Sequence, residues 1–405
     1  MIPRFLQIHS LHSYPAALLN RDDSGFAKRL PYGGAMRTRI SSQCLKRHWR
    51  MAEDEYALKA VGLPMAVRSR HLLDRGILEP LLEAGVPQGR AEAVLGVFIK
   101  TLFQESKKTR AKAAEAEEGG SKAPEYATNQ AVLLGRPEID HLLDAARRIC
   151  EAATDAKSAG AAAEAFIKEN RENLTQMKLG SGLEGALFGR MVTSDILART
   201  NAAIHVAHAF TVHQEESESD YFTVVDDLAS REETGSAGIF DSELTSGLYY
   251  GYVVVDLPTL VTNLEGPPSG RDWLDCDRAA AARVVTHLAH LIAKVSPGAK
   301  LGATAPYGWA ELMLIEAGSR QPRSLAGAFR QALPKDAGSE LLEGAADRLD
   351  RALRRLDAMY GCKEARWLAT TLESGLTGAE RGSFDAVVAA AAAAVAEGVT
   401  EPAAP

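Results

Sequence analysis

LYYGYVVVDL, residues 248–257, is the clearest strand in the chain, because aromatic and β-branched residues dominate it. Working outward, residues 277–295 carry apolar side chains at helical spacing, with His287 and His290 among them. ELMLIE at 311–316 reads as a second strand. Strand, helix, strand in that order predicts an α+β arrangement around one sheet. Near the start, FLQIHSL at 5–11 alternates well enough for another strand, and 36–40 is a short one. From about residue 51 to 177 the pattern turns helical and alanine-rich. It is broken at 107–125, KKTRAKAAEAEEGGSKAPE, which reads as a mobile charged loop. An alanine helix begins near 386 and runs into GVTEPAAP, a tail expected to fray.

Composition narrows the function classes. The 405 residues are 46% hydrophobic and 24% charged, which excludes wholesale disorder. The longest apolar run, 386–396, spans eleven residues. A membrane span needs roughly 20, so no membrane partner is expected. MIPRFLQIHS lacks an apolar signal core, and a cytoplasmic location is the expectation. Cys44, Cys150, Cys276 and Cys362 lie far apart, forming neither a disulfide framework nor a zinc ligand set.

The net charge of −7 argues against nucleic acid, but its distribution does not. Residues 1–50 hold nine Lys/Arg against Asp22 and Asp23, a balance of +7 that leaves −14 for the rest. Such asymmetry predicts one basic surface on an acidic body. The opposite extreme is 211–245, where ten acids face one base, Arg231. Within the basic segment, RTRISSQCLKRHWR (37–50) is the strongest feature. Arg37 and Arg39 share a strand face. Ser41 or Ser42 then caps a helix on which Gln43, Lys46, Arg47 and Arg50 form one polar face. Leu45 and Trp49 form the pair that turns inward. Lys46 and Arg50 repel each other by roughly 0.2–0.5 kcal/mol. A polyanion lying along the face reverses that penalty. Arg21, Lys28 and Arg29 nearby point to a nucleic-acid backbone.

Other constellations are weaker. Gly180-Ser-Gly182-Leu-Glu-Gly185 matches GxGxxG, but it follows a polar helical stretch and reads as a turn. The pairs His205/His208 and His287/His290 lack a third ligand at a familiar spacing, so no metal site is expected. Asp22–Asp23 and Asp226–Asp227 read as turn or capping residues. No P-loop, nucleophile elbow, HExxH or RNP-type aromatic motif is present. No cofactor and no catalytic residue is expected.

Four segments carry a resemblance: LNRDD (19–23), RISSQCLKR (39–47), GRMVTS (189–194) and VAHAFTVHQEESESDYFTVVDDL (206–228). In that order they resemble the CasC family, the CRISPR guide-RNA-binding backbone subunit of the type I-E Cascade complex. SGLYYGYVVVDL (246–257) and VSPGAK (295–300) extend the match over most of the first 300 residues. The resemblance implies a hand-shaped protein. Its palm is an RRM-like, modified ferredoxin-like sheet drawn from residues 1–50, 178–210 and 246–385. A helical fingers domain occupies 51–177 and a hairpin thumb 211–245, with the alanine helix and tail at 386–405. It implies copies polymerising along guide RNA, each thumb kinking the strand held by its neighbour. The guide's bases stay free to pair with a target DNA strand, and other Cascade subunits complete the complex. The family's phosphate contacts fall on Lys28, Lys46 and Arg50, and Met191 aligns with an apolar wedge beside the kinked nucleotides. Arg21, Arg39, Ser41, Gln43, Arg47 and Lys300 complete the expected RNA-binding set. Catalysis is not expected; the alternative is an RNA-processing nuclease on an RRM-like fold.

Overall fold

The computed structural model describes residues 1–102, 128, 131–170, 178–190, 200–224, 238–266, 272–334 and 340–399. The expected charged loop at 107–125, Met191 and the tail beyond 399 lie outside the described residues. Along the chain come β1 (Phe5–Ala17), β2 (Arg29–Tyr32), β3 (Ala35–Ile40) and α1 (Ser42–Met51). Then follow β4 (Ala66–Ser69), α2 (Glu79–Glu83), α3 (Gln88–Leu102), β5 (Val132–Gly135), α4 (Arg136–Ala152), α5 (Ala156–Glu169) and α6 (Gly182–Phe188). The next run is β6 (Ile204–Val206), β7 (Ala209–Thr211), β8 (Glu216–Val224), β9 (Gly238–Asp256), α7 (Leu257–Glu265) and α8 (Ala279–Lys294). The last is β10 (Ala310–Gly318), α9 (Leu341–Tyr360), β11 (Ala365–Thr370), β12 (Glu380–Arg381) and α10 (Phe384–Ala396). Contacts divide the chain into two units: Met1–Val61 with Ile204–Leu257 and Arg278–Pro405, and Gly62–Ala203 with Pro258–Asp277.

The first unit is a mixed α+β structure on one large sheet, ordered β12-β11-β10-β1-β9-β7-β3-β2, with β6 and β8 also paired to β9. Its pairings are antiparallel except β11 with β12. Ile8 of β1 stands between Val253 of β9 and Ile315 of β10. The β-branched run of 253–255 therefore fills the sheet's centre, where strands are covered on both faces. Alternation sorts the side chains: Leu248 and Tyr250 meet Leu349 and Leu353 of α9, while Tyr249 joins Tyr14, Ile40 and Ala209. Burying Leu349 and Leu353 contributes about 1.5–3 kcal/mol each. The helix α8 links β9 to β10, with β1 between them in the sheet. The terminal alanine helix α10 buries Val387, Val388, Ala391 and Val395 within this same unit.

A charged network runs through the sheet's interior. Glu316 accepts from Arg323 (2.7 and 2.9 Å), from Arg366 Nε (2.7 Å) and from His9 Nε2 (3.1 Å). The Arg366 fork also holds Asp357 at 2.5 and 2.7 Å. Two guanidiniums thus face two carboxylates, and burial's opposition to the Glu316 charge is outweighed, so its pKa falls. Tyr250 O–H donates to His9 Nδ1 at 2.8 Å and accepts from Leu325 N–H at 3.1 Å, which fixes His9 as the neutral Nε2–H tautomer.

The second unit pairs β4 with β5 and packs α3, α4 and α5 around Leu95, Phe98, Ile99, Leu142, Ala146 and Ala163. The two-stranded pairing stands among the helices that the sequence pattern of 51–177 leads one to expect. Residues 178–203, placed with the palm from sequence, belong to this unit by contacts. The GxGxxG segment is not a turn but the entry to α6. Gly182 has φ +69, and a Cβ there would lie 2.8 Å from the Met65 carbonyl, so glycine is required by conformation and by space.

Burial pushes His12 down to about 4, against its usual value of 6.5. The unfolded chain therefore binds more protons below pH 6.5, and stability is lost as pH falls from 6.5 towards 4. His12→Asn should remove about 2 kcal/mol of the loss between pH 7 and pH 5, read from urea midpoints of variant and parent. Parallel pH curves for the two would refute this.

Candidate nucleic-acid interface

The interface builds from one backbone turn and one helix. Asp22 Oδ1 accepts from Ser24 N–H and Phe26 N–H, both at 3.0 Å, making it the turn residue expected of it. Arg21 bridges Ala27 across that turn and is exposed. Lys28 N–H then donates to Asn20 carbonyl (2.9 Å), and Arg39 N–H to Lys28 carbonyl (2.8 Å), which puts Lys28 beside Arg39. Asn20 Oδ1 accepts from Ser41 N–H at 2.9 Å. Ser41 Oγ in turn accepts from Cys44 N–H at 3.3 Å and caps α1. Ser41 is buried, so its work is the cap.

On α1, Gln43 and Arg47 are exposed, Lys46 and Arg50 are half-buried, and Trp49 faces inward with Leu45 packed beside the core. Burial pushes the Lys46 ammonium pKa down, and an arriving anion would offset that. The cations converge: burial raises the Cys44 thiol pKa while Lys28 and Arg47 pull it back. Burial, then Arg39 and Lys28, lower His208. Arg39 donates to His208 Nδ1 at 2.9 Å and to the Arg29 carbonyl at 3.1 Å. His48 Nδ1–H donates to Cys44 carbonyl (2.8 Å) and its Nε2 accepts from Gly298 N–H (3.4 Å). That clasp holds the 295–300 loop against α1. Lys300, in a left-handed conformation at φ 55, reaches Ser242 Oγ of β9 at 2.7 Å.

The sequence-derived set lies in the first unit, except for Met191, which is outside the described residues. Arg37 departs from expectation. It shares β3 with Arg39 but is fully buried, donating to the Thr211 (2.8 Å) and Phe329 (3.0 Å) carbonyls. It is structural. Arg29 is also committed: burial opposes its charge, but ion pairs with Glu215 and Glu243 outweigh this and raise its pKa. Glu243 further accepts from Ala27 N–H at 2.6 Å. Those two acids of 211–245 therefore close on their own chain. Sequence reasoning missed His208 as the orienting partner of Arg39 and His48 as the clasp. Their partners are remote in sequence, so no spacing signals them.

The acidic excursion is a hairpin in its described part, Glu216–Val224 against Gly238–Ser246 in continuous register. Tyr221 and Phe222 are exposed on it. Residues 225–237, with Asp226 and Asp227, lie outside the described residues. Among the described residues no group of three or more His, Cys, Asp or Glu could hold a metal ion, and no helix is long and apolar enough to cross a membrane.

Comparison with known proteins places this geometry. One solved chain, titled "CRISPR RNA-guided surveillance complex, pre-nicking", is 28% identical with a TM-score of 0.75, covering 96% of this chain and 100% of that one. Another, titled "CRISPR RNA-guided surveillance complex", is similar in fold at 24% identity and a TM-score of 0.52, covering 96% and 99%. No curated protein matches. The CT1975-like protein family matches residues 6–394, and the chain belongs to that family.

Proposed function

We propose that the chain is the non-catalytic backbone subunit of a type I-E Cascade complex. Copies polymerise along CRISPR guide RNA, grip its phosphates, kink it periodically and present its bases to target DNA in the cytoplasm. The observation that carries this reading is the convergence of Lys28, Arg39, Arg47 and the α1 face with Lys300 at the foot of the hairpin. The likeness to a surveillance-complex chain over nearly the whole length supports it. So does the strand order β10-β1-β9-β7 with α8 crossing from β9 to β10, which is consistent with an RRM-like, modified ferredoxin-like palm. In this reading the second unit supplies the fingers and the β8–β9 hairpin is the thumb. Contacts to phosphate give affinity without sequence preference, which suits a guide of any sequence. Met191 is the wedge in this proposal.

Lys46→Glu with Arg50→Glu should abolish stable guide loading while the protein stays folded, because Trp49 and Leu45 on the other side are untouched. Each lost phosphate contact flattens the log–log salt slope by about 0.7 for a single strand. Unchanged affinity and slope in filter binding would sink the reading. The nuclease alternative would recruit His208; a single-turnover assay on repeat RNA that shows cleavage, abolished by His208→Ala, would replace our proposal.

A second expectation concerns the hairpin. Arg29→Ala leaves Glu215 and Glu243 without their cation. Amide hydrogen exchange at 216–224 and 238–246 should then quicken several-fold, with 250–255 unchanged. Uniform exchange across β9 would show that the ion pairs do not hold the hairpin.

A further inference from the structure

A groove of about 820 Å³ lies in the first unit, away from α1, lined by Arg330, Arg348, Arg351 and Arg355. Its floor is small or backbone: Gly33, Gly327, Ala328 and Ala352. Gly33 sits in the β2–β3 turn at φ +62, and a Cβ there would fall 1.4 Å from the Arg330 carbonyl. The loop and the turn are therefore in contact because that residue is glycine. Ser41 lies beyond the other end of β3, a six-residue strand, so the groove is roughly 20 Å from the start of α1.

Arginines 348, 351 and 355 stand at i, i+3 and i+7 on α9, one face of the helix. Arg351 and Arg355 are exposed, one turn and about 6 Å of rise apart. Among the described residues none of the four is in an ion pair. The neighbouring acid Asp350 is taken by Arg354 at 2.9 Å and by Thr377 N–H at 2.7 Å. Asp347, one turn before Arg351, is exposed and does not pair with it. Burial and then Arg351 lower the Arg348 pKa, as expected for cations crowded without a counter-charge. Arg348 donates to the Gln331 carbonyl, and Arg330, Arg351 and Arg355 stand around it; guanidiniums gathered in this way on a chain of net charge −7 call for an anion of several charges.

We infer that this groove is a second nucleic-acid site, which takes the phosphodiester backbone of a strand other than the one on α1. The walls favour a nucleic acid over an acidic protein segment. No aromatic side chain lines the groove, and its two leucines, Leu325 and Leu356, are packed into the core behind it, so it lacks the exposed aromatic anchor that protein interfaces centre on. The same lack of stacking surfaces makes it blind to sequence. Rigid forked donors suit phosphate oxygens bidentately.

The inference rests on the proposed RNA-binding role of α1, and the test separates the two. In the Lys46→Glu/Arg50→Glu protein, fluorescence anisotropy measures binding of labelled single-stranded RNA, single-stranded DNA and duplex DNA over a salt series. Residual binding is expected. Adding Arg351→Gln and Arg355→Gln should reduce its slope by about 1.4 for a single strand or about 1.8 for a duplex; the arm with the larger loss identifies the ligand. Thermal denaturation checks that these exposed substitutions leave the fold intact. Residual binding that Arg351→Gln/Arg355→Gln does not change overturns the groove and spares the α1 reading. No residual binding to any probe also overturns it. Stronger competition by a polyglutamate peptide than by nucleic acid would reassign the groove to an acidic protein segment.

Discussion

Everything in the first unit is hung on the backbone hydrogen bonds of β9. This one strand of 19 residues pairs with β1, β6, β7 and β8. Its inner half is buried on both faces, and its outer half leaves the sheet as one arm of the hairpin. A strand cannot slip by one residue without turning every core side chain to the wrong face. Register at Val253–Val255 therefore also sets where Ser242 and Glu243 stand. Through Ser242 and Lys300, and through Glu243 and Arg29, the sheet's core dictates the position of the basic surface. Packing and the interface are two ends of one element.

The charges around the hairpin's foot show how an acidic segment coexists with a basic surface. Ten acids in 211–245 would repel a guide if all were free. Glu215 and Glu243 instead neutralise Arg29, and Glu243 also accepts from Ala27 N–H beside Lys28. They spend one cation to hold the turn that presents another. These pairs are part-exposed, so their worth lies in fixing geometry more than in net stability.

What was legible in the sequence follows the range of the interactions. Strands 248–257 and 311–316, the helix between them and the capped basic helix all announce themselves through local periodicity and a local cap. Ser41, Trp49 and the exposure of Arg47 were readable for the same reason. Arg37 and Arg39 were not separable, because two arginines on one strand face look alike until the carbonyls of Thr211 and Phe329 close over one of them. His208 and His48 became meaningful only through Arg39 and Gly298, which lie 169 and 250 residues away. The pairing of β4 with β5 hid in an alanine-rich stretch because each strand has only four residues, too few for a period to show.

The acidic body has its own physical logic. A uniformly basic protein would bind any nucleic acid it met, since non-specific affinity follows the number of phosphates neutralised. Here positive charge is concentrated where geometry holds it: on α1 by a cap and a buried tryptophan, and in the α9 groove by helical spacing and a glycine contact. The chain outside residues 1–50 carries a net charge of −14. A strand that binds must therefore follow the few places where guanidinium and ammonium groups are held in position. In the proposed role neither surface contains a device for reading bases, so discrimination between sequences would fall to base pairing within the bound nucleic acid. Fixing the backbone's path while leaving the bases unread is the division of labour that this charge distribution permits.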